Sequence, residues 1–408
     1  MKIFHTGDLH FDNPPQLLAE IVKCTDYLIK IADTEQPDLI TVAGDTFHDS
    51  VELGSPASLV AMKFIQQCAD IAPVVVIRGT TTHDAEGSVN ALAKLKGKNS
   101  IFVTDRPEQV YLLDSGQFVA NLATYDKPVA LLSLLPSVTK ANVVNGNGNS
   151  NQSSQGSNEQ AADLLRDILR AWGEVNQSIR LSRGSTSGIP TIMVGHFTVT
   201  GSVLPTGHRM IGKELELTVG DLRLAGSNLV CLGHIHKSQS WREISYCGSI
   251  TRLDYGDAGD HKGFYIHELS EQELVSRFIE TPARVMKVVK PMNGIPSTDD
   301  LGDIAAGDCV KLTFEISEED LSKVNEEVIR QAALAKGAAE IKIEKIIVPK
   351  VTVRAEGISR LKNAEDKLRK WAELTGVEVN ANMLKKLSDL ETINDPEDYA
   401  KQYTEATI

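Results

Sequence analysis

The chain has 408 residues, 41% of them hydrophobic and 24% charged, and a formal net charge of −13. That length carries two or three domains, each with a core of its own, and the acidic balance speaks against a broad nonspecific duplex-DNA surface, which would be basic. Five scattered cysteines with no CxxC argue for buried free thiols in a reducing compartment, and against a disulfide framework or a structural zinc site.

The chain opens "MKIFHTGDLH", and neither there nor later is an apolar run long enough for a signal peptide or a membrane span. A cytoplasmic protein with no membrane association is expected. "KIFHT", "DLITVA" and "PVVVI" are near-continuous apolar runs and read as strands buried on both faces. Between them, "PQLLAEIVKCTDYLIKIADTE" and "SPASLVAMKFIQQCADI" carry apolar residues at helical spacing. The pattern is βαβαβ, so a parallel or mixed sheet covered by helices is expected.

Residues 145–160, "NGNGNSNQSSQGSNEQ", hold no apolar residue and read as a flexible surface insertion. A helix, "AADLLRDILRAWGEVNQSI", follows, and "TIMVGH" and "NLVCLGH" read as further strands. Near Thr281 the texture changes. "RVMKVVK", "CVKLTFEIS", the helical run "EEDLSKVNEEVIRQAALAKG" and "EIKIEKIIVPKVTV" make a small ββαβ unit. From Gly357, Ile358, Leu361, Leu368 and Trp371 share a helical face, and Met383, Leu384, Leu387 and Leu390 make a second amphipathic stretch. Such a pair suits docking to a partner, or packing back onto the chain. The expected organisation is an α/β domain over 1–280 with central sheets flanked by helices, a small α+β domain over 281–355, and a helical tail over 356–408.

Five stretches at strand ends hold the suggestive polar residues. "GDLH" gives Asp8 and His10, "GDTFHD" gives Asp45 and His48, and "GTTTHD" gives His83 and Asp84. "VGHFTVTG" gives His196, and "LGHIH" gives His234 and His236. In open α/β sheets functional groups gather at the carboxyl ends of strands. Carboxylates mixed with imidazoles suit manganese, iron or zinc better than a purely oxygen-seeking ion. Two such ions ~3.5–4 Å apart can activate water and stabilise both oxygens of an in-line displacement at phosphorus.

In this order the motifs resemble those of the calcineurin-like metallophosphoesterases. Within them the chain is most similar to the SbcD-type nuclease subunits, the bacterial branch of the DNA double-strand-break repair nucleases. "GDTFHDS" is similar to that group's second motif, and "YCGSITR" to its Y-P-G-S-x-x-R stretch. The resemblance implies a metallophosphoesterase sandwich, a DNA-capping domain in the ββαβ unit and an ATPase-binding tail. By the same resemblance Asp8, His10 and His236 would hold one metal, His196 and His234 a second, and Asp45 would bridge. His83 would be the general acid or orient the scissile phosphate, with Asp84 and His48 supporting. Two Mn2+ ions are implied, with Mg2+, Fe2+ or Zn2+ as alternatives. So are DNA as substrate, a homodimer, and an SbcC-like coiled-coil ATPase partner, since the chain has no GxxxxGK[ST] of its own.

One departure stands out. The family reads Gly-Asn-His-Asp where this chain reads "GTTTHD", two residues longer and without the asparagine. Counting back from His83 puts Thr82 in its place; counting from Gly79 puts Thr80 there. A neutral hydroxyl is a poorer metal ligand than an amide oxygen. Either a threonine or a water fills the position, or the second metal binds more weakly. A metal-dependent DNA exonuclease and endonuclease is the expected activity; a phosphatase or phosphodiesterase on small substrates, or a scaffold subunit with a weakened site, are the rival readings.

Overall fold

The computed structural model describes residues 1–137, 154–182, 188–204, 216–270, 273–291, 295–348 and 357–392. The chain divides into two compact units, Met1–Phe314 with Asn325–Glu344, and Glu315–Val324 with Lys345–Ile408.

The first unit begins β1 (Lys2–Thr6), α1 (Pro15–Glu35), β2 (Leu39–Val42), α2 (Pro56–Ile71), β3 (Val74–Ile77) and β4 (Ile101–Thr104). It continues β5 (Glu108–Leu113), β6 (Phe118–Val119), β7 (Pro128–Leu135), α3 (Ser154–Leu181) and β8 (Thr191–His196). Next come β9 (Thr198–Val199), β10 (Glu216–Leu217), α4 (Val219–Arg223) and β11 (Leu229–Gly233). Then follow β12 (Gln239–Trp241), β13 (Ile244–Tyr246), β14 (Gly263–Leu269) and β15 (Leu274–Glu280). Local chemistry sets the ends. Ser55 caps α2 by accepting the Ser58 N–H at 3.3 Å, and Pro56, which has no N–H to satisfy, opens it.

Two sheets result. One runs β15-β14-β1-β2-β3-β4, the other β12-β13-β11-β8-β7-β5-β6. Strands β1 to β4 are mutually parallel, as are β7, β8, β11 and β13. Ile3, Leu39, Val75, Leu132, Val194 and Cys231 form the core between the sheets. Phe4, Ile40 and Val74, on the opposite faces of their strands, pack against α1 and α2. Met193, Leu232 and Tyr246 pack against Leu165, Leu169 and Trp172 of α3. The layers are helix, sheet, sheet, helix, the expected sandwich, and the period-two alternation of each strand divides its residues between two cores.

A small three-stranded sheet follows from β16 (Met286–Val289), β17 (Cys309–Ser317) and β18 (Glu340–Val348), with α5 (Glu326–Ala335) between the last two strands. In the second unit α6 (Ala364–Thr375) and α7 (Ala381–Thr392) are the described helices. Among the described residues no helix is long and apolar enough to cross a membrane.

Three boundaries differ from the sequence reading. Helix α3 starts at Ser154, so the end of the stretch expected as a flexible insertion is helical; residues 145–153 lie outside the described residues. Glu159 and Gln160 have good helix propensity and extend the apolar helix backwards. Helix α5 starts only at Glu326, where Asn325 accepts the Val328 N–H at 3.1 Å; an N-cap there ends the longer run expected from Glu318. Helix α6 starts at Ala364 behind an Asn363 cap, so Ile358 and Leu361 precede it rather than sharing its face. The end of the expected "EIKIEKIIVPKVTV" strand, residues 349–353, lies outside the described residues.

Candidate metal centre

The segments leaving β1, β2, β3, β8 and β11 converge at the carboxyl ends of both sheets. The loop after β1 lies along the loop after β2. The Asp8 N–H donates to the Gly44 carbonyl at 3.0 Å and the His10 N–H to that of Asp45 at 3.1 Å. Asp8, His10, Asp45 and His234 all have positive φ, at 46°, 48°, 46° and 96°. Non-glycine residues in that region store ~1–3 kcal/mol each, and such strain collects where side chains must be aimed. The Asp8 carboxylate, fully buried, accepts the His234 N–H at 2.8 and 3.0 Å, which ties the β1 end to the β11 end across the sandwich.

The sequence-predicted residues fall into two adjoining groups. Asp8, His10 and His236 offer ligand atoms within 4.8 Å of one another, and so do Asp45, His196 and His234. Asp45 lies between them: its Oδ2 is 3.3 Å from His196 Nε2 and 3.9 Å from His10 Nε2. His10 Nε2 and His236 Nε2 stand 3.0 Å apart. His196 donates from Nδ1 to the Ala43 carbonyl at 2.7 Å, which fixes its tautomer and turns Nε2 inward. His234 Nε2 meets Thr198 Oγ1 at 3.0 Å.

Burial works against a charged His196 ring, yet Asp45 and Asp8 beside it lift its pKa to about 9. Burial also pushes against the Asp45 carboxylate, but His196 and His10 hold it well below the usual range. Asp8 is raised, by burial above all, and His10 is lowered by burial and by its neighbour His236.

These groups fit divalent ions. Two carboxylates and four imidazoles are the donor set for borderline cations. His196 Nε2, buried and 3.3 Å from Asp45 Oδ2, makes no hydrogen bond, an expense a protein rarely carries without a ligand. Three glycines keep the space clear: a Cβ would strike the His196 ring at Gly44, the Asp45 carboxylate at Gly79 and the Ala43 backbone at Gly233.

His83 stands at the edge of the first group, its ring 4.6 Å and edge-on from that of His10, with Nδ1 on the His48 carbonyl. The rings of His10, His48 and His83 cluster together. Of the two candidate threonines, Thr80 reaches the centre. Its N–H and its hydroxyl both donate to Asp45 Oδ1, at 2.7 and 3.0 Å. Thr82 is exposed, and its hydroxyl meets that of Thr80 at 3.4 Å. Asp84 is fully buried and accepts three backbone N–H groups, from Gly79, Phe47 and Thr46, so it clamps the β3 loop to the β2 loop.

Other supports escaped the sequence reading. Lys262 is buried; its ammonium donates to the His236 carbonyl at 2.8 Å and pairs with Asp257 at 2.9 Å. The Tyr246 hydroxyl donates to the Phe197 carbonyl at 2.7 Å and accepts the Val199 N–H at 2.9 Å, gripping the turn after His196. Arg252 donates to the carbonyls of Arg284 and Asp260. A lysine just ahead of a strand reads as surface, so nothing in the sequence marked Lys262; Tyr246 and Arg252 lie within the quoted "YCGSITR" but without an assigned role.

Residues 1–238 match the family model described as calcineurin-like phosphoesterase. Among curated proteins, the SbcD subunit of the SbcCD nuclease from Staphylococcus saprophyticus is 25% identical over 309 residues, covering 71% of this chain and 72% of that protein. Its namesake from Staphylococcus epidermidis is 24% identical over 301 residues, with coverage of 71% and 72%. A solved structure, "GAP50 the anchor in the inner membrane complex of Plasmodium", aligns at 17% identity and a TM-score of 0.42, covering 69% of this chain and 85% of that one. At that score the likeness carries no argument.

Proposed function

Because this chain belongs to the calcineurin-like phosphoesterases, enzymes that work with divalent metal ions, we propose that it is the nuclease subunit of an SbcCD-like complex and hydrolyses DNA phosphodiester bonds in end processing. The observation that carries this reading is the meeting of six strand-end side chains in two adjoining trios, among them His196, whose buried Nε2 makes no hydrogen bond. The substrate follows from the likeness over 71% of the chain to proteins named as SbcCD nuclease subunits.

Asp8, His10 and His236 would hold one ion, His196 and His234 the other, with Asp45 shared. When bound, such a pair supplies an activated water and neutralises charge on the phosphate. The chain's own residues supply the rest. Thr80 engages Asp45 Oδ1, leaving Oδ2 turned to His10 and His196. His83, beside the first group yet outside both ligand trios, hands a proton to the leaving 3′ oxygen. Lys262 and Tyr246 hold the backbone behind His236 and His196. Manganese is the proposed metal. A homodimer, a coiled-coil ATPase partner and a cytoplasmic site of action belong to the same reading, as do residues 281–355 as a DNA-capping domain and 356–408 as the docking tail.

Linear duplex DNA and bis(p-nitrophenyl) phosphate, each incubated with the chain and Mn2+, test it. DNA degradation that Asp45→Ala abolishes is the expected result. Turnover of the small ester alone would make this a small-substrate phosphodiesterase. Turnover of neither would favour a scaffold role.

A further inference from the structure

Between the two sheets lies a second cluster that the proposed chemistry does not use. His5 of β1, His267 of β14, Cys231 of β11 and Ser245 of β13 all point into the core and are at most 3% exposed. We propose that His5, His267 and Cys231 form a closed structural site for one soft d10 cation, cuprous copper or zinc, independent of the candidate centre.

The tautomers point that way. His5 Nε2 lies 3.1 Å from the Leu232 carbonyl, which can only accept, so Nε2 carries the hydrogen and Nδ1 is left with its lone pair. His267 Nδ1 meets Ser276 Oγ at 2.8 Å and leaves Nε2 facing inward. A ring anchored through its far nitrogen is how proteins aim a ligating histidine. The two inward nitrogens are 3.4 Å apart, and Ser245 Oγ lies 3.5 and 3.4 Å from them. Imidazole nitrogens ~2.0–2.1 Å from one ion stand roughly 3.3–3.6 Å apart at trigonal or tetrahedral angles. Cys231 Sγ completes a trio of ligand atoms within 4.8 Å of one another.

Charge ranks the two ions. One thiolate with two neutral imidazoles cancels the charge of Cu+, whereas Zn2+ would keep a net positive charge in a dry core. Both favour thiolate and imidazole. Such an ion would pin β1 and β14 of one sheet to β11 of the other.

The test uses the full chain, stripped by chelator and reloaded anaerobically with Cu+ or Zn2+, with bound metal counted by elemental analysis after desalting. Co2+ serves as the spectroscopic stand-in for zinc. The candidate centre has no cysteine among its ligands, so a sulfur-to-cobalt charge-transfer band reports a thiolate elsewhere. The expected result is one equivalent of copper or zinc more in the native chain than in Cys231→Ser, with the cobalt band, where zinc is the ion, lost in Cys231→Ser and kept in Cys68→Ser. Which ion supplies the extra equivalent decides between copper and zinc. No extra equivalent of either ion in the native chain, and no cobalt band, overturns the proposal whether or not the variants fold; His267 then simply donates to His5 across a hydrogen-bonded core. A band that survives in Cys231→Ser overturns it too.

Discussion

Replacing Asp84 with alanine should destabilise the first unit by about 3 kcal/mol and slacken the loop that carries Thr80. The carboxylate accepts N–H groups from Gly79 at 2.8 Å, Phe47 at 3.0 Å and Thr46 at 3.2 Å. Each buried donor left without an acceptor costs ~1–3 kcal/mol, so three cost roughly 6 kcal/mol at mid-range. Against this stands the cost of keeping the group charged. Burial, with the Asp45 charge adding to it, pushes the Asp84 pKa up from 3.8 to about 6. That lift of about two units is worth about 3 kcal/mol at neutral pH, and alanine removes it. The net loss is therefore about 3 kcal/mol. Asparagine keeps one acceptor oxygen and sheds the charge, so its loss is smaller. The sign with pH follows. A carboxyl whose folded pKa is raised binds its proton more tightly when folded, so the native chain loses stability as pH rises from about 4 to about 6. Asparagine does not titrate, and the native advantage over Asp84→Asn should shrink across that window. Urea unfolding of the metal-free chains at either end of the window measures both effects. An alanine variant within ~0.5 kcal/mol of native, as for an ordinary surface substitution, or a native–asparagine gap that ignores pH, would refute the clamp.

Asp45→Ala should abolish phosphodiester hydrolysis and lower the metal content of both groups; near-normal activity would remove the shared-carboxylate model. His83→Ala should keep its metal and cleave ~10²-fold more slowly or worse, as for a lost general acid; metal loss instead would make His83 a ligand. Thr80→Val keeps the N–H on Asp45 and loses the hydroxyl, a charge-assisted bond worth ~1.5–3 kcal/mol. Calorimetric titration should show metal affinity reduced by roughly 10- to 100-fold and restored in Thr80→Ser, and equal affinities in native and Thr80→Val would count against it. Deleting the chain from Gly357 should leave a metal-binding core with nearly the native melting temperature that no longer co-purifies with a coiled-coil ATPase partner. A large drop in melting temperature with the partner retained would sink the docking role.

The elements most legible in the sequence were those buried on two sides. "KIFHT", "DLITVA" and "PVVVI" have no polar face to confuse the period, and the structure makes each a central strand. The edge strands β4, β6, β12 and β15 were not read, because strands with one wet face mix polar and apolar residues without a clear signal; the inner strands β5, β7, β13 and β14 were not read either. Helix ends failed for a different reason. Asn325 and Asn363 decide where α5 and α6 begin, and a single capping residue inside an amphipathic run is easily read through.

The site was legible because its geometry demands rare residues in pairs. A glycine precedes Asp8, Asp45, His196 and His234. Space explains two of these pairings: at Gly44 any side chain would strike the His196 ring, and at Gly233 the Ala43 backbone. Conformation explains why the polar residues themselves are confined to turns, since Asp8, Asp45 and His234 are held at positive φ. Close approach and strain thus write themselves into the chain as Gly-Asp and Gly-His. The residues that hold those candidate ligands from behind face no such demand. A donor to the His236 carbonyl could have come from another segment or been another residue type, and a role that several positions and residue types could fill leaves no pattern to read. The same reasoning explains the opposite fates of the two threonines. Position 80 adjoins Gly79, whose missing side chain lets the backbone press against Asp45, so its N–H and hydroxyl reach the carboxylate together. Two residues further on, Thr82 is already in solvent.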